Sequence, residues 1–313
     1  TYNLSNGEYP LCNTTWSVSG TTYSCTGHGR VTLASGDILI ANSAITISAN
    51  DGFVLANNTI GSAANTINLV SSYGAIQSSG TNSIFGAITS GSGNVSLSTT
   101  TVTGTITTGG HINLTGGSVS GLVTSSSNTI TTNGTHLSGG ARAQSGMSIT
   151  GGNLAGDFVM TSNNAMVLTG VNMSSGSISG ANTVTIQGGS TLGSASSAIN
   201  VSSNSGAITV DNSVVYGNLT APSYSTVNVN NGSVIYGTCL PNSTPANACN
   251  ATPPPPFNCP AGISSGMTGY YYNNRTLTEP STAARSDAPI DFNWGTAAPG
   301  PNGINADNFS VRW

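Results

Sequence analysis

One five-residue pattern recurs through the chain, first as Ile84-Phe85-Gly86-Ala87-Ile88 and next as Val102-Thr103-Gly104-Thr105-Ile106. Each copy has an apolar residue at both ends and glycine in the middle. The first five copies begin at residues 84, 102, 119, 137 and 154, and two later copies begin at residues 215 and 235. The pattern is irregular between these two groups, although Met173 and Leu192 stand where further copies are expected. A repeat of this length is typical of a solenoid.

Several repeats hold a second apolar pair seven residues before the pattern, as in Val95-Ser96-Leu97, so the spacing predicts two short alternating strands per coil. Because side chains alternate along a strand, both apolar residues and the glycine of the pattern are expected to face inward. The glycine leaves room for a bend or for close approach of the next coil. We therefore predict an all-β fold, a single-stranded parallel β-helix of ten or more coils with about 17–20 residues each. A flat antiparallel sandwich is the alternative.

Changes in composition along the chain predict four segments. Residues 1–35 are irregular and rich in aromatic side chains, which suits a cap over the first coil. The solenoid is expected over residues 36–240, with early strands around Ile38, Ile45, Phe53 and Ile67. Residues 241–265 form a proline-rich linker, because the four prolines at 253–256 favour an extended conformation. Residues 266–313 differ again and predict the start of a second module.

Charged residues make up only 4% of the chain, and lysine is absent. Such a surface cannot neutralise phosphates, so nucleic acid is not expected as a partner. There is no apolar run long enough for a membrane-spanning helix. Because the chain starts at Thr1 without methionine, we predict an exported protein whose signal peptide has been removed.

The five cysteines point to an oxidising, extracellular compartment. Their positions predict two local disulfides at the ends of the solenoid, Cys12 with Cys25 and Cys239 with Cys249, while Cys259 is left unpaired. Reduced thiols in the core are the alternative.

The repeats offer little for catalysis. Between Phe53 and Asn250 the only charged residues are Arg142, Asp157 and Asp211. Arg142 and Asp157 are one coil apart, which predicts a weak surface ion pair, and no second carboxylate is placed to assist hydrolysis. The histidines, His28, His111 and His136, fall at different positions around the coil and are expected to be solvated turn residues. The chain is therefore predicted to be no enzyme and to have no metal or cofactor of its own.

Residues 266–313 contain four separate motifs, in the order Gly269-Tyr270-Tyr271-Tyr272-Asn273-Asn274, Arg285-Ser286-Asp287, Ile290-Asp291-Phe292-Asn293-Trp294-Gly295 and Phe309-Ser310-Val311-Arg312-Trp313. Through these motifs the segment resembles the opening of a PA14 domain. The resemblance implies the first part of a β-sandwich module that is often linked to carbohydrate binding. The calcium ligands of sugar-binding members lie further along that domain, so calcium is expected only in a completed module.

The repeats contain segments such as Asn113-Leu114-Thr115-Gly116-Gly117-Ser118-Val119 and Asn212-Ser213-Val214-Val215-Tyr216-Gly217. Through such segments they resemble the N-terminal region of MshQ-like proteins. These are bacterial envelope proteins associated with type IV pili. The resemblance implies glycans, a host or biofilm surface, and pilus or envelope components as partners.

Three hypotheses follow for function. The first is an extracellular adhesin, in which a β-helical stalk presents a PA14-like carbohydrate-binding module. The second is a filament subunit that self-associates through exposed strand edges. The third is an ice-binding solenoid, suggested by the threonines at 99–101, 103 and 105.

Overall fold

The computed structural model describes residues 1–252, 267–278, 280–287, 298–299 and 303–313. Cys259, the prolines at 253–256 and the motif at 290–295 lie outside the described residues, as does most of the predicted linker. Apart from a 3-10 turn at Leu4–Asn6, the regular structure of the described part is β-strand. The chain divides into two compact units, Thr1–Pro253 and Pro254–Trp313.

The first unit is a β-solenoid whose coils contribute strands to three sheets, which we call faces 1, 2 and 3 in the order that a coil visits them. Face 1 has 12 strands, and faces 2 and 3 have 13 each. Within each face, coil-to-coil pairing is parallel, and antiparallel pairing occurs only between the first two strands of faces 2 and 3. The prediction of a parallel β-helix with ten or more coils is therefore confirmed.

The strands of face 1 are Tyr2–Asn3, Ile38–Ile40, Thr59–Ile60, Asn82–Ile84, Thr100–Val102, Ser118–Val119, His136–Leu137, Asn153–Leu154, Asn172–Met173, Thr191–Leu192, Val214–Val215 and Val234–Ile235. Those of face 2 are Trp16–Ser19, Thr22–Cys25, Ile45–Ala49, Ile67–Ser71, Ile88–Ser90, Ile106–Thr108, Val123–Ser125, Ala141–Ala143, Phe158–Met160, Ser177–Gly180, Asn200–Ser203, Leu219–Thr220 and Cys239–Leu240. Those of face 3 are Leu11–Cys12, Val31–Thr32, Phe53–Ala56, Ile76–Ser79, Val95–Ser98, Ile112–Thr115, Thr129–Asn133, Gly146–Thr150, Met166–Thr169, Val184–Gln187, Ile208–Asp211, Val227–Asn230 and Ser243–Thr244.

The expected two strands per coil were wrong, because each coil has three. The five-residue pattern spans a corner: Ile84 ends a strand of face 1, and Ile88 begins a strand of face 2. Polar residues such as Ser90 and Thr108 also point inward on face 2, so the apolar pattern did not separate this face from the next. Thr108 is satisfied by donating to the carbonyl of Gly93 at 2.6 Å.

The apolar residues that start the pattern form one buried column on face 1. In-register pairing places these side chains directly above one another, each no more than 2% exposed: Ile84, Val102, Val119, Leu137, Leu154, Met173, Leu192, Val215 and Ile235. Met173 and Leu192 occupy the places predicted for the irregular copies. The stacked coils share one continuous core, which a single coil cannot form.

The glycine of the pattern stands at the corner between faces 1 and 2. A Cβ atom on Gly104 would lie 2.5 Å from the carbonyl oxygen of Gly86, and one on Gly121 would lie 2.6 Å from that of Gly104. The amide of Gly104 donates to the carbonyl of Gly86 at 3.0 Å. The expected close approach of backbones at this glycine is confirmed, and we call this stack the glycine corner.

The N-terminal segment 1–35 contains the first strand of each face and the second strand of faces 2 and 3. Leu11–Cys12 and Trp16–Ser19 run antiparallel to the strands that follow them, whereas Thr22–Cys25 pairs in parallel with Ile45–Ala49. Cys12 and Cys25 form the predicted disulfide, with their Cα atoms 5.7 Å apart. This end of the solenoid is therefore crosslinked where parallel stacking begins.

The C-terminal end is crosslinked in the same way. Cys239 and Cys249 form the second predicted disulfide, with Cα atoms 5.9 Å apart. The amides of Asn250 and Ala251 donate to the carbonyls of Gly237 and Ile235, each at 2.9 Å. The last coil is thus partly covered by the chain that leaves it.

The described part of the second unit is a three-stranded antiparallel sheet, in which Met267–Tyr272 lies between Ala283–Asp287 and Ser310–Arg312. Tyr271 is fully buried, and its hydroxyl accepts a hydrogen bond from the guanidinium of Arg285 at 2.8 Å. Trp313 meets the ring of Tyr271 edge to face at 6.4 Å.

Candidate functional site

The charged residues of the repeats do not form the expected pair. In the first unit, Nδ1 of His28 lies 3.5 Å from Oδ1 of Asp51, a contact that is ionic when His28 is protonated, whereas Arg142 makes no ion pair with Asp157. Arg142 is aligned with Val159 on face 2, whereas Asp157 lies just before that strand and accepts a hydrogen bond from Ser177 at 2.8 Å. The one-coil spacing was correct, but the two residues differ in their position around the coil.

The three histidines are exposed and lie apart. Nδ1 of His111 hydrogen-bonds the hydroxyl of Thr129 at 2.8 Å, and Nδ1 of His136 accepts from the amide of Asn153 at 2.9 Å. His136 lies in a strand rather than in a turn. Within the described ranges no three histidine, cysteine or acidic side chains are grouped as metal ligands.

Outward threonines form only a short row. Thr89, Thr107 and Thr124 are aligned across three strands of face 2, but the next two residues in the row are Arg142 and Val159. On this face the row of threonine hydroxyls therefore ends after three coils.

A surface groove runs along the glycine corner in the region where the repeat pattern is irregular in sequence. The corner that joins Leu192 to Val201 carries extra residues, 194–198, and Ser194 and Ser197 form a small bridge within them. Depressions of about 480 Å³ and about 210 Å³ share Ser194 in their linings. The two depressions thus adjoin at the inserted segment, and we call this surface the groove.

Two tyrosines line the smaller depression. Tyr216 and Tyr236 precede the corner glycines of successive coils, and their rings stack with centroids 4.4 Å apart and planes inclined at 24°. Both are partly exposed. Partial burial, and next the neighbouring Tyr216, raise the pKa of the Tyr236 hydroxyl above its ordinary value.

Two asparagines continue the groove onto face 2. Oδ1 of Asn200 accepts from the amide of Asn218 at 3.0 Å, and Oδ1 of Asn218 accepts from the amide of Thr238 at 2.9 Å. Since a backbone amide can only donate, each oxygen must face it, and each Nδ2 points the other way. Both asparagines line the depression beside the tyrosines and a further one of about 250 Å³.

The sequence interpretation did not single out this groove. The signal was present: Val215-Tyr216-Gly217 and Ile235-Tyr236-Gly237 put tyrosine at the same place in successive copies. Side chains at equivalent places in a solenoid lie one above another at the strand spacing of about 4.8 Å.

No protein-family model, no curated protein and no solved structure matches this chain. In the described part of the chain, no helix has the length and apolar character that crossing a membrane requires.

Proposed function

We propose that this chain is a non-enzymatic adhesin of a bacterial surface or pilus, in which the solenoid is a stalk and the C-terminal unit belongs to a PA14-like carbohydrate-binding module. The observation that carries the proposal is the uninterrupted stack of three sheets between two disulfide-linked ends. Every coil is hydrogen-bonded to its neighbours, which suits a stiff spacer that holds a second unit away from a surface.

The surface chemistry supports an extracellular site of action. Two disulfides suit an oxidising compartment. With 4% charged residues, the outer faces present mainly hydroxyl and amide groups, which exchange hydrogen bonds with sugar hydroxyls without a charge penalty. Glycans on a host or biofilm surface are the proposed ligands, and pilus or envelope components are the proposed anchoring partners.

Two experiments test this function. The purified protein is applied to a glycan array, and cells with and without its gene are compared for adherence to glycan-coated surfaces. We expect binding to neutral glycans and weaker adherence of the deletion strain. Folded protein that binds no glycan, together with unchanged adherence, would overturn the proposal.

A filament subunit is a second candidate, favoured by exposed apolar side chains at the N-terminal end. Leu11 and Val18, on the two antiparallel end strands, are 66% and 48% exposed. Electron microscopy of native material tests it: regular fibres that disappear in the Leu11→Ser, Val18→Ser variant support self-assembly. Single particles at all concentrations contradict it.

A further inference from the structure

We propose that the groove around Tyr216 and Tyr236 is a second glycan site, built into the solenoid itself, and that it takes an uncharged oligosaccharide. The inference goes beyond the proposed function, which places carbohydrate binding in the C-terminal unit. It rests on four features of the groove: an aromatic platform, oriented amide donors, the sign of the nearest charges and the shape given by the inserted corner.

The aromatic platform comes from the stacked tyrosines. A stacked pair forms a rigid apolar surface that spans two coils, while its hydroxyl groups remain able to hydrogen-bond. The apolar C–H groups on one face of a sugar ring pack against the exposed side of this pair. Aromatic residues make up 6% of the chain. Two tyrosines that stack at equivalent places on an accessible surface therefore offer a ligand a specific contact.

The amide donors follow from the hydrogen bonds of Asn200 and Asn218. Their Oδ1 atoms are occupied by backbone amides, which fixes the orientation of both side chains. Neither Nδ2 group has a hydrogen-bond partner among the described residues, and both side chains are exposed. Two donors one coil apart beside an aromatic surface suit the hydroxyl groups of successive sugar residues.

The charges near the groove favour a neutral ligand over an acidic one. Ser177, which lines the outer part of the groove, donates to the carboxylate of Asp157. A carboxylate accepts hydrogen bonds from sugar hydroxyls but repels a uronate or sulfate group. Arg142 is on face 2, in the same row of outward side chains as Ser179 but two strands earlier. The positive charge of Arg142 is therefore set back from the tyrosines.

The inserted corner gives the site its shape. Ala195 and Ala198 of this segment line the same depression as the two tyrosines. Their small apolar side chains leave space for a ring against the aromatic surface, and this depression adjoins two others, one through Ser194 and one through Asn200 and Asn218. Adjoining depressions take successive residues of a chain, and the proposal is therefore for an oligosaccharide rather than a monosaccharide.

The test uses the whole protein and isothermal titration with neutral hexasaccharides of glucose, mannose and galactose, and a hexauronate as the acidic comparator. We expect at least one neutral hexasaccharide to bind. Tyr216→Ala and Tyr236→Ala should each weaken that binding about tenfold, whereas Tyr236→Phe, which keeps the ring, should stay within about twofold. Asn218→Asp keeps the acceptor and loses the donor, and should weaken binding about fivefold.

Tyr73→Ala is the matched control, since it removes an exposed tyrosine elsewhere on the solenoid. Circular dichroism confirms that each variant is folded. Binding that is unchanged in both tyrosine-to-alanine variants would overturn the solenoid site while leaving a C-terminal module intact. No binding of any neutral hexasaccharide, or tighter binding of the hexauronate, would overturn the inference as well.

Discussion

Replacing Gly121 by alanine should destabilise the solenoid, although the same change often stabilises proteins elsewhere. The φ of Gly121 is outside the left-handed region, so the backbone conformation alone does not exclude alanine. The obstacle is space. The added Cβ would lie 2.6 Å from the carbonyl carbon and oxygen of Gly104, in the coil next to it, and 2.7 Å from the amide nitrogen of Thr105.

The expected loss is about 2 kcal/mol. Non-bonded carbon atoms prefer about 3.5–4.0 Å, so the two coils must separate locally, and overpacking of this kind costs about 1–3 kcal/mol. Separation also weakens the hydrogen bond from the amide of Gly121 to the carbonyl of Gly104, now 3.2 Å, which contributes about 1 kcal/mol. The smaller conformational freedom of alanine in the unfolded chain returns about 0.4–1 kcal/mol.

Urea unfolding followed by circular dichroism measures this difference. Ser120→Ala is the matched control, because Ser120 is exposed, is adjacent in sequence and adds no atom to the glycine corner. We expect the control to change the free energy of unfolding by less than about 0.5 kcal/mol. A Gly121→Ala protein as stable as the control, or more stable, would refute the close packing of the corner.

Three further changes test other parts of the solenoid. Thr132 is 1% exposed and its hydroxyl has no partner among the described residues, so Thr132→Val should raise the free energy of unfolding by about 1 kcal/mol; a lower value in urea unfolding contradicts this. The Cys239–Cys249 disulfide closes a loop with a sequence separation of 10, and Cys239→Ser with Cys249→Ser should cost about 2–3 kcal/mol, seen as faster hydrogen exchange in the last coils; unchanged exchange would be inconsistent with it. Because the pKa of Tyr236 is raised, folding favours the neutral form of this tyrosine. The contribution of Tyr236 to the free energy of unfolding is therefore present below the pKa of free tyrosine, about 10, and is lost as the pH rises through the higher pKa of the folded protein. Carbon-13 NMR of labelled tyrosine should show Tyr236 titrating above free tyrosine, and nearer to it in Tyr216→Phe; titration at or below the free value refutes the assignment.

The regular apolar pattern was enough to predict the coil stack, because each pattern residue on face 1 repeats the same inward contact. The number of strands per coil was less visible. On face 2 the inward positions include Ser90 and Thr108, which are buried and donate hydrogen bonds to backbone carbonyls of the preceding coil. A polar residue that interrupts an apolar pattern suggests that the strand ends there. In this fold the hydroxyl of such a residue is buried and forms a hydrogen bond with a backbone group in the core.

The groove was harder to predict than the fold. Met173 and Leu192 were predicted correctly as repeat positions on face 1. The irregular spacing around them was not explained by the pattern, and it comes from the extra residues 194–198 in the corner. The surface ion pair between Arg142 and Asp157 was predicted only because the two residues are one coil apart. Position around a coil depends on where each corner falls, and corners of unequal length move side chains from one face to the next.

Hydrogen-exchange mass spectrometry of the whole protein, with and without a neutral hexasaccharide that it binds, tests the central claim most directly. We expect slower exchange on binding in the strands around the groove, Asn200–Ser203, Val214–Val215 and Val234–Ile235. Slower exchange confined to the C-terminal unit, with these strands unchanged, would contradict a glycan site in the solenoid.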